Sequence, residues 1–246
     1  LQYGLPYAQD KVIEALAGAN PNLAVVIVSG NAVAMPWIDR VPAVLEAWFS
    51  GSEAGNALAD VVFGAVNPSG KLPFTFPVRL EDNSAHALGE YPGTDKVAYN
   101  EGIFVGYRWH DKERIKPLFA FGHGLSYTAF AVGNVKADRT TLAPNGSIRI
   151  SADVTNTGDR AGAEVVQLYI GDEQSSLPRP VKELKGFQKV SLNPGQTRTV
   201  TFEITPGMLQ YYDDAKGAWV AEPGAFTAYV GAASDDIRGT VEFELK

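Results

Sequence analysis

The sequence predicts α/β plus all-β structure in series: the C-terminal portion of an α/β sandwich domain with a connecting segment over residues 1–126, then a β-sandwich over 127–246. Three observations carry this. Residues 23–28 form an unbroken Val- and Ile-rich run between Pro21 and Gly30, the pattern of a parallel strand buried on both faces. Patterns of helical period flank it on either side. From about Tyr127 the period falls to two and stays there, with turn residues at regular intervals.

Taken in order, 7–19 fits a helix: Val12, Ile13, Leu16 and Ala17 share one face, and Gly18 with Asn20-Pro21 ends it. Ser29-Gly30-Asn31 is then the loop after the 23–28 strand, where open α/β sheets place ligand crevices. Pro36 heads a single helical turn over 36–40. Residues 43–49 are a second apolar run, read as a buried strand, and Ser50-Gly51-Ser52 breaks it. Ser52 is the expected N-cap of a helix over 52–63, with Glu53 in its first turn. Ala54, Ala57, Leu58, Val61 and Val62 form that helix's apolar face, and Gly64 stops it. Asn67-Pro68-Ser69-Gly70 is a turn, and 71–76 reads as an extended edge segment because Pro73 and Pro77 cannot donate to a ladder.

Two buried strands are few for a doubly wound sheet, and the chain opens on Leu1-Gln2-Tyr3 without an initiator Met. The expectation is a piece of a longer polypeptide that supplies the rest of the sheet. Residues 77–98 are polar and turn-rich, a loop long enough to be functional, packed or partly disordered. The aromatic segments 103–109 and 118–121 read as packed against another surface.

Alternation then marks the sandwich. Ile148, Ile150, Ala152 and Val154 form one set; Val166, Leu168 and Ile170 a second; Val200, Phe202 and Ile204 a third. Phe226, Ala228 and Val230, then Val241, Phe243 and Leu245, complete the pattern. Turns such as Pro144-Asn145-Gly146 and Asn193-Pro194-Gly195 separate them, and about seven strands are expected.

Composition narrows the function. A net charge of −7 without a basic run argues against nucleic acid. No apolar stretch approaches a membrane span of roughly 20 residues. The absence of Cys removes disulfides, thiolate metal sites and a Cys nucleophile. His86, His110 and His123 lack metal-ligand spacing, so no metal or cofactor is expected. Ser29 lacks a nucleophile-elbow context, and no phosphate-binding Gly loop is present.

The 47–77 segment, AWFSGSEAGNALADVVFGAVNPSGKLPFTFP, resembles the second-domain signature of glycoside hydrolase family 3. EGIFVGYRWHD at 101–111 and PLFAFGHGLSY at 117–127 are similar to the same family in the same order. The resemblance implies the C-terminal portion of a retaining, exo-acting β-glycosidase, a β-glucosidase first, ending in a fibronectin type III-like domain. It implies the N-terminal barrel part of the same enzyme as partner, an oligosaccharide or β-glucoside as substrate, and a periplasmic or secreted location. A homodimer through the sandwich is a further expectation.

Retaining hydrolysis needs two carboxyl groups roughly 5–5.5 Å apart. The family's nucleophilic Asp lies in the barrel, and its acid/base Glu on a loop just before the segment that Leu5-Pro6-Tyr7-Ala8-Gln9 resembles. Both are therefore expected upstream of Leu1, and no catalytic residue is assigned in this chain. Glu53 reads as a first-turn carboxylate facing the helix dipole. Glu101 reads as an ion-pair partner of Arg108 or a backbone cap, with a sugar hydrogen bond the alternative, and Asp111 as a turn residue. Among the aromatics Trp37, Trp48, Tyr107 and Trp109, Trp48 reads as core and Trp109 as either an interface or a substrate contact. Two non-enzymatic readings remain open: a carbohydrate-binding module, and a scaffold that oligomerises through the sandwich or its 175–181 loop.

Overall fold

The structure is a computed structural model that describes residues 3–246; Leu1 and Gln2, which the expected acid/base would precede, lie outside the described residues. By packing it forms two compact units. One holds the described residues up to Val66 with Thr75–Gly102 and Ile115–Phe119. The other holds Asn67–Phe74, Ile103–Arg114 and Ala120–Lys246. The second unit thus takes in segments from both sides of residue 126.

In the first unit, helix α1 (Gln9–Ala19) precedes two strands, β1 (Ala24–Ile27) and β2 (Ala43–Glu46). They pair in parallel, Ala24 opposite Ala43 through Ile27 opposite Glu46, but neither is buried on both faces as the apolar runs predict: Ala24 and Ala43 are exposed and the rest of β2 is only half-buried. A short 3-10 turn at Ile38–Arg40 links them. Trp37 beside it is fully buried, and its indole N–H donates to Asp10 at 2.8 Å, which ties α1 to this crossover.

β2 is shorter than the apolar run predicts. It ends at Glu46, Trp48 turns into the left-handed region at φ 50°, and Phe49 points to solvent. Nor does Ser52 cap the next helix. A 3-10 turn at Gly51–Glu53 draws Ser52 inside the helical stretch, and Glu53 stands at the start of α2 (Ala54–Val62) without a side-chain cap bond. Ser50 closes the turn instead, its hydroxyl donating to the Ala47 carbonyl at 2.6 Å. The predicted 71–76 edge strand is reduced to one bridge, Phe76 to Phe119, because Pro73 and Pro77 interrupt the donor pattern. Within 77–98 lie a 3-10 turn at Leu80–Asp82 and a short helix, α3 (Ser84–Ala87).

The second unit is a sandwich. After α4 (Tyr107–Glu113) come β3 (Phe130–Ala137), β4 (Thr141–Leu142), β5 (Ile148–Asn156), β6 (Gly162–Asp172), β7 (Glu183–Leu192) and β8 (Thr197–Ile204). They are followed by helix α5 (Pro206–Leu209), the hairpin β9 (Tyr211–Asp213) and β10 (Ala218–Val220), then β11 (Gly224–Ala233) and β12 (Asp236–Leu245). One sheet runs β4-β12-β11-β6-β7 and the other β3-β5-β8. The alternating residues predicted from sequence face each other between the sheets: Ile148, Ile150 and Val154 on β5, Val200 and Ile204 on β8, Leu168 on β6, and Phe226 and Val230 on β11 are all buried.

β6 departs from simple alternation. Gln167 and Tyr169, on its outer face, are buried as well. They lie under a cover drawn from earlier in the chain. The Gln167 amide donates to the carbonyls of Gly122 at 3.2 Å and Ala232 at 2.6 Å, and accepts from the Tyr169 hydroxyl at 2.5 Å. Gly122 sits at φ +81°, and a Cβ there would stand 2.3 Å from the Gln167 side-chain oxygen. Tyr107 of α4 stacks on Phe121 and meets Tyr169 edge-on. Asn67 donates to the Ala161 carbonyl at 2.9 Å, and Lys71 pairs with Glu164 at 2.7 Å. Of the aromatic segment at 103–109, Tyr107 and Trp109 are packed as predicted, while Ile103 and Val105 are about half exposed.

Candidate functional site

The best candidate for a site lies where β1 and β2 end. Parallel strands deliver both following loops to one edge of the sheet, the position where α/β proteins bind ligands. Here the loops are Ser29-Gly30-Asn31 after β1 and Ala47–Ser50 after β2.

Glu46, the last residue of β2, ties the two loops together. Its Oε1 accepts from the Trp48 amide at 3.1 Å, and the Ser29 hydroxyl approaches it to 3.5 Å as the long arm of a shared bond. The Ser29 hydroxyl also lies 2.7 Å from the Asn31 carbonyl, to which it donates. The other carboxylate oxygen of Glu46 is buried without a hydrogen-bond partner among the described residues. Burial pushes the Glu46 carboxyl above its ordinary range, and the hydrogen bonds from Trp48 and Ser29 oppose that rise without cancelling it. The left-handed turn at Trp48 lays its ring edge-on to Phe76, centroids 6.0 Å apart. Phe49 then projects outward, 77% exposed, with its ring edge resting over Gly30. A Cβ on residue 30 would stand 2.9 Å from that ring, so the glycine makes the seat.

The Ser29 loop was legible in the sequence as a strand end. Glu46 and Phe49 were not: both sit in an apolar run whose simplest reading is buried strand. The signal available was the Leu45-Glu46-Ala47 step, where a carboxylate interrupts the run just before two aromatics. Trp48, predicted as core, is half-buried at this mouth.

The other sequence candidates lie elsewhere. Glu53 is exposed and accepts from the Asn56 side chain at 2.6 Å. Glu101 keeps one carboxylate oxygen buried without a hydrogen-bond partner among the described residues. Arg108, its expected partner, pairs with Glu183 at 3.2 Å instead. Asp111 is a helix residue rather than a turn, and it pairs with Lys182 at 2.6 Å. Trp109 is buried within this chain, with the Lys112 ammonium over its ring. Tyr107 is structural, its hydroxyl accepting from the Leu184 amide at 2.9 Å. No cluster of three or more His, Asp or Glu able to hold a metal occurs among the described residues. No helix among them is long and apolar enough to cross a membrane.

Comparison with known proteins places these features in a lineage. The Glycosyl hydrolase family 3 C-terminal domain matches residues 2–127, and the Fibronectin type III-like domain matches residues 164–234. Beta-glucosidase BoGH3A of Bacteroides ovatus is 54% identical over 99% of this chain, which covers 33% of that protein. Thermostable beta-glucosidase B of Acetivibrio thermocellus is 49% identical over 95% of the chain and 31% of its own length. The chain therefore spans about a third of the length of these curated relatives. Among solved structures, beta-glucosidase from Kluyveromyces marxianus in complex with glucose superposes with TM-score 0.92 at 41% identity, over 100% of this chain and 29% of that one. DesR, a beta-glucosidase from Streptomyces venezuelae in complex with D-glucose, gives 0.93 at 42% identity, over 99% and 31%.

Proposed function

The chain belongs to glycosyl hydrolase family 3, and from that premise we propose that it is the C-terminal part of a retaining, exo-acting β-glucosidase. The observation that carries the reading is the 54% and 49% identity, over nearly the whole chain, to two proteins named beta-glucosidases. The substrate would be a β-glucoside or short β-linked oligosaccharide, cleaved from its non-reducing end. In the retaining reaction one carboxylate attacks the anomeric carbon while a carboxylic acid protonates the departing oxygen; water then hydrolyses the glycosyl-enzyme with the second group acting as base. We place both groups in the upstream part of the same enzyme, which supplies the barrel and the loop before Leu5.

This chain's share is then positional. The Ser29 and Trp48–Ser50 loops form a wall of the substrate cleft, fixed by the Glu46 contacts. A near-attack geometry depends on such rigid walls, because misplacement by about 1 Å can cost on the order of a hundredfold in rate. A periplasmic or secreted location accords with the family's habit.

The test is hydrolysis of an aryl β-glucoside by the full-length enzyme, with NMR of the sugar first released. The β-anomer is expected. The α-anomer would overturn retention, and turnover of β-xylosides alone would move the substrate assignment. The 1–246 chain by itself is expected to be inactive, since effective positioning of two carboxylates supplies most of the rate. Sustained turnover by that chain would overturn the placement of both carboxylates outside it.

A further inference from the structure

We propose that Phe49 is a substrate-contacting residue that stacks on a pyranose ring of the glycoside, held in place by Glu46 as a positioning residue. The inference rests on the β-glucosidase reading and names a contact within the same site.

Four features converge on it. Phe49 lies in the loop after the second of two adjacent parallel strands, at the edge of the sheet where a ligand crevice forms. It is 77% exposed in this chain, a large apolar face uncovered by the described residues. The ring is nonetheless seated, because Gly30 of the neighbouring loop leaves room for its edge and any side chain there would displace it. And the backbone that aims it is over-determined: Trp48 takes φ 50°, its amide bound by the Glu46 carboxylate, which also accepts from Ser29 in the loop carrying Gly30. A non-glycine residue in the left-handed region persists only where its surroundings hold it there. The chemistry of the ligand follows from the face on offer. An aromatic ring presents a negative face to partly positive C–H groups, and the C–H face of a glucopyranose supplies them. Asn31, exposed in the same loop as Gly30, brings an amide for the sugar's own hydroxyls.

Kinetics of the full-length enzyme on cellobiose and on an aryl β-glucoside test this, using F49A, F49L, F49Y, E46A and E46Q. F49A and F49L are expected to raise KM about tenfold with kcat within about twofold, the pattern of lost uniform binding. F49L keeps apolar bulk over Gly30 without an aromatic face, so it decides the matter should F49A fold poorly. F49Y should restore KM. E46A should raise KM as F49A does, whereas E46Q, whose carbonyl can still accept from the Trp48 amide, should rescue it. An active wild-type enzyme whose KM is unmoved by F49L would overturn the stacking role. A fall in kcat and Tm at constant KM would do the same, and would make Phe49 a packing contact. A wild-type enzyme that turns over no β-glucoside would sink the parent reading itself, and the inference with it.

Discussion

Glu46 and Glu183 are both carboxylates drawn partly out of water, and their surroundings push them in opposite directions. At Glu46 burial outweighs the hydrogen bonds from Trp48 and Ser29, and the carboxyl rises above the ordinary 4.5. A raised value means that the folded state holds the proton more tightly. The corresponding stability is present below pH 4.5 and is lost as pH climbs through the folded value. Gln mimics the protonated form, so the Tm of E46Q should gain on wild type as pH goes from about 4 to 7, measured by calorimetry. Glu183 is also pushed upward by burial, but a 2.5 Å bond from Arg179 and the charges of Lys185 and Arg108 outweigh that and hold it below its usual range. Its contribution is present above pH 4.5 and lost as pH falls through the folded value. E183Q should destabilise by about 2 kcal/mol at neutral pH, less than a fully dry pair because water screens part of the network, and the deficit should shrink on acidification. A denaturant midpoint taken at two pH values checks it. Neither role was legible in the sequence. A lone Glu names no partner, and three cations converge on Glu183 only after β7 is paired and α4 is docked.

At the scale of elements, periodicity did most of the work where strands alternate cleanly. β5, β8 and the inward faces of β11 and β12 follow directly from Ile148–Val154 and its counterparts. β3 was harder to read because its pairing with β5 shifts register between Gly133 and Lys136, with Asn134 at φ 52°, so its apolar residues fall out of phase. β7 carries a similar irregularity: Tyr169 faces Leu184 while Leu168 faces Gly186, which leaves Lys185 as the extra residue of a bulge. The bulge explains why α4 can fasten there. The Leu184 amide is satisfied by the Tyr107 hydroxyl at 2.9 Å rather than by the ladder. Y107F should cost about 1–2 kcal/mol, because the amide loses its acceptor in a partly buried place. Faster hydrogen exchange of the Leu184 amide, with β5 amides unchanged, is the expected signature. The helix over 54–62 was equally legible in its body and not at its start, since a 3-10 entry and a serine cap share the same sequence of small polar residues.

At the scale of the whole chain, the sequence pattern changes at about residue 127, where the first family match also ends, and packing divides elsewhere. The outer face of β6 is the reason. Gln167 and Tyr169 are covered by Gly122 and Tyr107, from segments 120–126 and 103–114, while Asn67 and Lys71 fasten to Ala161 and Glu164 farther along the chain. A 127–246 piece would bare the aromatic ring of Tyr169 and strip Gln167 of its Gly122 acceptor. Such a piece is expected to bind a hydrophobic dye and to melt well below the 246-residue chain, and equal melting temperatures would show that the cover contributes little. The broader consequence concerns how such enzymes can be rearranged. A sandwich that wears a lining woven from earlier sequence does not behave as a cassette. Recombination near residue 127 would separate the fabric from its lining, and a crossover upstream of Asn67 would part residues 75–102 and 115–119 from the unit they pack in, so a well-folded chimera is expected to keep the whole 246-residue stretch from one parent. The unit that is inherited together is therefore larger than the unit that aligns.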